Sequence, residues 1–134
     1  MSVVAPLFSK RARERRAALR AARNAEPSAT VELVLGYPLV GELAQGEYRT
    51  PSLLVANEAG VGIRSLAGSS EFSATWAEIG PLGFDLGPPP LLTIFAKGKS
   101  HQYYGVHGSG TFALSPQQLR RMIDRVERKR PKSL

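Results

Sequence analysis

Hydrophobic and polar residues alternate in short segments through the middle of the chain, between residues 30 and 114. The segments are rich in β-branched and aromatic residues, and turn-forming residues separate them about every 8–12 positions, as in an all-β sandwich or barrel. The alternation is clearest at Phe72, Ala74 and Trp76, which share one face of an extended strand and place Trp76 in the core. We predict seven strands: Val31–Tyr37, Ser52–Ala56, Val61–Leu66, Glu71–Trp76, Leu91–Ala96, His101–Val106 and Thr111–Leu114.

Short turns join several of these strands. Asn57–Gly60 is typical of a tight hairpin turn, and Lys97–Lys99 is similar. The proline run Pro88–Pro90 has no backbone N–H groups, so it predicts a loop or an edge. Since no long crossover separates the strands, we expect an antiparallel sheet.

The end of the chain predicts an amphipathic helix over residues 116–129. Ser115 is a suitable N-cap, Pro116 occupies the first helical position, and Gln118 completes a capping box. Apolar residues then recur at helical spacing, and Pro131 ends the helix. The apolar stripe consists of Leu119, Met122, Ile123 and Val126. We expect this stripe to pack on the sheet.

The start of the chain predicts a second helix, over residues 9–25, with Ser9 as its N-cap. Four basic side chains fall on one side of it: Arg13, Arg16, Arg20 and Arg23. The opposite side is mostly alanine, which buries little area, so we expect weak docking or partial order in the free protein. Deletion of residues 1–29 is then expected to leave the fold intact.

A chain of 134 residues fits one domain. We divide it into a basic N-terminal extension (1–29), a β domain with its C-terminal helix (30–130) and a short tail (131–134). The sequence has no cysteine, which excludes disulfides, thiolate metal sites and cysteine nucleophiles. No apolar run is long enough to span a bilayer, and the apolar N-terminal residues precede the basic block, unlike an export signal. We therefore expect a cytoplasmic protein.

The positive charge is concentrated at the two ends. Residues 10–23 contain seven basic residues and one acidic residue, and residues 120–132 contain seven basic and two acidic residues. Residues 24–119 contain four basic and eight acidic residues. An anionic partner would therefore bind the ends rather than the body of the domain.

The predicted order of elements resembles the pleckstrin-homology-like (PH-like) superfold, in particular the small bacterial PH-like and GRAM-like domains. The strand Gly62–Leu66 and the segment Phe72–Ile79, which ends in an aromatic-x-x-Ile step, carry the resemblance. It implies a mainly β fold with α-helices, an antiparallel partial barrel of about seven strands that the C-terminal helix caps, plus the basic N-terminal helix. Residues 31–56 contain only one basic residue, Arg49, so specific inositol-phosphate binding is not expected.

No pattern in the sequence indicates a catalytic site. The two histidines, His101 and His107, lack the neighbouring carboxylates of a metal or acid–base site. No serine lies in a G-x-S-x-G context, and the glycine pairs do not precede a phosphate-binding helix. We expect a protein that is not an enzyme, has no cofactor or metal and takes no small-molecule substrate.

Two binding functions remain open. In the first, a PH-like interaction module binds a protein partner or an anionic membrane surface, with peripheral attachment at the inner face of the membrane. Its binding residues would be Lys10, Arg11, Arg13, Arg16, Arg20 and Arg23, with an apolar anchor of Val3, Val4, Leu7 and Phe8. In the second, the basic ends bind nucleic acid or a ribonucleoprotein without sequence preference, and about six phosphate contacts give a salt slope of about −5.

Overall fold

The computed structural model describes residues 4–37, 51–87, 89–107 and 113–132, with the backbone alone for residues 4–12 and 37. Two α-helices flank seven β-strands, and a 3₁₀ turn, Trp76–Glu78, follows the fourth strand. The elements are α1 (Val4–Ala25), β1 (Thr30–Tyr37), β2 (Ser52–Ala56), β3 (Gly60–Arg64), β4 (Ser70–Thr75), β5 (Gly83–Asp85), β6 (Leu91–Ala96), β7 (Lys99–Gly105) and α2 (Pro116–Glu127).

The seven strands form one antiparallel sheet in the order β4-β3-β2-β1-β7-β6-β5. Two meanders, β1–β4 and β5–β7, are joined where β1 pairs with β7. The prediction of a mainly antiparallel, seven-stranded fold with a helix at each end is confirmed. Strand β5 was not among the predicted strands, because Gly83–Asp85 has only three residues and no alternation. The predicted strand Thr111–Leu114 lies partly outside the described residues, and Ala113 forms a single bridge with Val106.

The sheet bends until its two ends approach each other. The chain after β4 forms a bridge with the end of β6, between Ile79 and Ala96. The rings of Phe72 on β4 and His101 on β7 lie 4.3 Å apart between centroids. These contacts join strands that are far apart in the sheet order, so the sheet is a partial barrel.

Helix α2 covers the inner face of this sheet. Its apolar stripe is buried, and the predicted capping box is present: the Ser115 hydroxyl accepts the Gln118 backbone N–H at 3.2 Å. Trp76 is 3% exposed, as its strand pattern predicts, and its indole N–H donates to the carbonyl of Asn57. The buried residues of α2 are Leu119, Met122, Ile123 and Val126.

A second hydrophobic cluster lies on the outer face of the sheet, under α1. Its buried members come from β1, from β2 and from the residue that follows β7: Val31, Leu33, Leu35, Leu53, Val55 and Val106. Leu19 and Ala22 of α1 pack against it. Helix α1 therefore docks on this hydrophobic face through these two small-to-medium apolar side chains, and the weakness of that docking stays a prediction.

Helix α1 also begins earlier than the sequence pattern predicted. It starts at Val4, so Ser9 lies inside the helix and is not its N-cap. Pro6 is compatible with this start, since the first backbone N–H groups of a helix have no intrahelical acceptor. The apolar residues Val4, Leu7 and Phe8, which precede the basic block, therefore belong to the same helix.

Strands β3 and β4 approach so closely at one point that only glycine fits. A Cβ atom at Gly60 would overlap the carbonyl oxygen of Ala74, whereas a Cβ atom at Gly62 would lie 3.5 Å from its nearest neighbour, the carbonyl oxygen of Phe72. We expect Gly60→Ala to lower the free energy of unfolding by about 1–3 kcal/mol or more. The matched variant Gly62→Ala should change it by less than about 1 kcal/mol. Urea unfolding of the pair tests this, and equal midpoints would contradict the strand pairing.

Candidate anion-binding surface

Three of the arginines predicted on one side of α1 form an exposed surface. Arg13, Arg16 and Arg20, hereafter the basic face of α1, are solvent-exposed and follow one another at helical spacing. Arg23 has a different role, since its Nη2 donates to the carbonyl oxygen of Val31 on β1 at 2.9 Å. It thus helps to hold the helix against the sheet.

For the remaining predicted site residues, the structure describes at most the backbone. Five of them lie within α1: Val4, Leu7, Phe8, Lys10 and Arg11. Val3 precedes the first described residue. No tertiary contact therefore tests these binding and anchoring predictions.

Because α1 docks on the sheet, its basic residues differ in exposure, and Arg15 is buried. It is only 7% exposed, whereas its neighbour Arg16 is solvent-exposed. Positions 15, 19 and 22 share the side of the helix that faces the sheet, because successive residues rotate by about 100°. Its burial excludes Arg15 from direct contact with an external partner.

Some basic residues of α2 and its C-terminal extension are also engaged inside the fold. The guanidinium of Arg130 lies 4.5 Å from the ring centroid of Trp76 and donates to the carbonyl of Gly80 at 3.0 Å. It also pairs with Glu127 at 2.9 Å. These contacts attach the chain after α2 to the segment after β4, so Arg130 is structural.

A cleft opens where the two helices meet β1. It has a volume of about 280 Å³ and is hereafter the interhelix cleft. Helix α1 contributes Leu19 and Arg23 to its walls. The other lining residues are Glu32, Leu33, Val106, His107, Leu114, Gln118, Arg121 and Arg125. The tertiary structure thus brings arginines from both basic ends of the chain to one place.

One ion pair is built into this cleft. Arg125 binds Glu32 through two hydrogen bonds, from Nε at 2.9 Å and from Nη2 at 3.1 Å. The hydrogen bond to Glu32 raises the pKa of Arg125, and partial burial opposes that rise. This two-point geometry fixes the Arg125 guanidinium and joins α2 to β1.

The sequence did not single out this cleft, although each of its residues is visible there. Glu32 and Arg125 are 93 residues apart, and no spacing rule relates them. The sequence alone offers His107 only as a candidate metal or acid–base residue. Within the described ranges, no group of three or more His, Cys, Asp or Glu side chains could hold a metal ion. The arrangement is suited to binding an anion.

Comparison with known proteins identifies no relative of this chain. No protein-family model matches it, and neither a curated protein nor a solved structure does. Neither helix in the described part of the chain is long and apolar enough to cross a membrane. Its function is therefore inferred from the basic face of α1 and the interhelix cleft.

Proposed function

We propose that this protein is a non-catalytic, PH-like interaction module that binds an acidic protein partner through its two basic helices. The observation that carries the proposal is the convergence of the helices: Arg23 of α1 and Arg121 and Arg125 of α2 line one cleft. The basic face of α1 extends the same positive surface on the exposed side of its helix.

The distribution of charge over the molecule supports this proposal. The basic segments, residues 10–23 and 120–132, have fourteen of the eighteen Lys and Arg residues, whereas residues 24–119 have eight of the eleven acidic residues. A molecule polarised in this way orients an acidic partner as it approaches and speeds association. The effect weakens as salt screens the charges, over about 8–10 Å at physiological ionic strength.

The direction of the helix faces favours a protein partner over a bilayer. A helix that inserts shallowly buries its apolar side in the lipid and keeps its basic residues at the headgroups. In α1 the side opposite the basic face packs on the sheet through Leu19 and Ala22, so at these turns it is not open to a bilayer. Peripheral attachment at the inner face of a membrane is the first alternative, and binding to vesicles tests it.

Binding of nucleic acid is the second alternative. The paired basic helices could contact phosphates, but the described strands and helices offer no base-reading element such as a helix-turn-helix. Such binding would be independent of sequence and would show a salt slope of about −5 for about six phosphate contacts. This slope separates it from binding to an acidic peptide.

The test compares binding of the full-length protein to a labelled Asp/Glu-rich peptide, to vesicles that contain phosphatidylglycerol, and to duplex DNA and RNA. Arg20→Glu should weaken peptide binding by about threefold to tenfold, since a like charge then faces the partner. The matched control Lys99→Glu, an exposed position on β7, should change it by less than about twofold.

Equal effects of Arg20→Glu and Lys99→Glu would contradict the proposal, because binding would then depend on net charge alone. Vesicle binding without peptide binding would replace the protein partner by a membrane surface. Tight binding to DNA or RNA alone would favour the nucleic-acid alternative.

A further inference from the structure

The interhelix cleft has more positive charge than its own side chains neutralise. Three guanidinium groups line it, and Glu32 supplies one carboxylate. Glu32 is paired with Arg125 through two hydrogen bonds, so that pair is close to neutral. Arg23 and Arg121 leave a net charge of two positive units in the lining.

The two arginines whose charge no carboxylate of the cleft neutralises, Arg23 and Arg121, still have free hydrogen-bond donors. Arg23 is fixed by its bond to the carbonyl of Val31, and a guanidinium has further N–H groups beyond the one used. Arg121 is solvent-exposed, and no hydrogen bond or ion pair joins it to another residue within the described part of the chain. His107 lines the same cleft, is half-buried and has at least one ring N–H in either protonation state.

We propose that the interhelix cleft binds one phosphate monoester group, with Arg121 as its principal ligand and Arg23 beside it. The inference rests on the proposed function and names the chemistry of the partner: a phosphorylated side chain within an acidic segment. A phosphate monoester has a charge of about −1.5 to −2 at pH 7, which matches the two spare positive charges, whereas a carboxylate has only about half of that. Arginine also matches the geometry of phosphate oxygens through paired N–H donors.

The size and lining of the cleft agree with such a ligand. Its volume of about 280 Å³ is several times the ~30 Å³ that one water molecule occupies. Leu19, Leu33 and Leu114 supply apolar wall next to the arginines. A phosphate could therefore enter together with the first carbons of the side chain that carries it.

The test titrates the full-length protein with O-phosphoserine and with inorganic phosphate, and uses serine and glutamate as controls. NMR shifts should saturate and concentrate at cleft residues such as Leu33, His107 and Gln118. Arg121→Gln should weaken phosphoserine binding by about tenfold or more, since it removes a charge-assisted hydrogen bond. The matched control Arg128→Gln, an exposed arginine just after α2, should weaken it by less than about twofold.

The proposal is overturned if Arg121→Gln and Arg128→Gln act alike, if glutamate binds as tightly as phosphoserine, or if the shifts centre on the basic face of α1. In that case continued dependence of peptide binding on Arg20 would leave the proposed function standing. Binding to vesicles that contain phosphatidic acid is measured as well. If Arg121→Gln weakens vesicle binding and leaves phosphoserine binding unchanged, the proposed ligand is wrong. The cleft would then bind a lipid headgroup instead of a phosphorylated side chain.

Discussion

Substitution of Met122 by alanine is expected to lower the free energy of unfolding by about 2–5 kcal/mol. The side chain is fully buried in the centre of the apolar stripe of α2 and belongs to the larger hydrophobic cluster on the inner face of the sheet. Truncation would remove buried methylene groups and a thioether, and it would leave a cavity that a bent sheet can close only in part. Urea unfolding, followed by circular dichroism, measures the change as a lower midpoint at constant slope.

The matched control for this prediction is Gln117→Ala on the same helix. Gln117 is exposed in the first turn of α2, so its truncation should change the free energy of unfolding by less than about 0.5 kcal/mol. If both variants unfold at the same urea concentration, α2 does not cover the inner face of the barrel in solution. The pair of variants thus tests the packing of α2 apart from its helix propensity.

Introduction of a charge under α1 should have the second large effect. We expect Ala22→Glu to lower the free energy of unfolding by about 1–3 kcal/mol, because Ala22 is partly buried against the outer hydrophobic cluster and a carboxylate there loses hydration. The variant Ala21→Glu makes the same chemical change one residue earlier, at an exposed position. It should be within about 0.5 kcal/mol of the unchanged protein.

This pair of variants also decides between two views of the N-terminal segment. If α1 is a dispensable extension, the two glutamate variants are equally stable and deletion of residues 1–29 is harmless. If α1 covers part of the outer face, the deletion uncovers apolar residues of the outer cluster and should cause aggregation or loss of cooperative unfolding. The second result is the one that the packing of Leu19 and Ala22 leads us to expect.

The sequence did contain a sign that the sheet is covered on both faces. Leu53–Ala56 is an unbroken apolar run, and all four residues are at most 3% exposed. Val31, Leu33 and Leu35 on β1 alternate with Val34, which faces the inner cluster. A strand with only one buried face would have polar residues at every second position, so a continuous run indicates a second layer. The bounds of these strands could nevertheless be predicted without knowing that α1 forms the second layer.

The candidate site was less predictable than the fold. Helical spacing alone placed Arg13, Arg16, Arg20 and Arg23 on one side of α1, and the first three do form an exposed face. Arg23 donates to the carbonyl of Val31 and lines the interhelix cleft, because the helix lies against β1 at that turn. The surroundings of a basic residue, which the helical spacing does not reveal, thus decide which surface it belongs to.

The sequence by itself determined the elements whose signals are local. Strand alternation, tight turns, the capping box at Ser115 and the apolar stripe of α2 each depend on residues within about one or two turns of one another. Only the tertiary structure decided that α1 covers the outer face and that Glu32 pairs with Arg125 across 93 residues to form a cleft. The physical reason is that periodicity fixes which side of an element is apolar, whereas the partner of that side is chosen by packing and charge among segments distant in the chain.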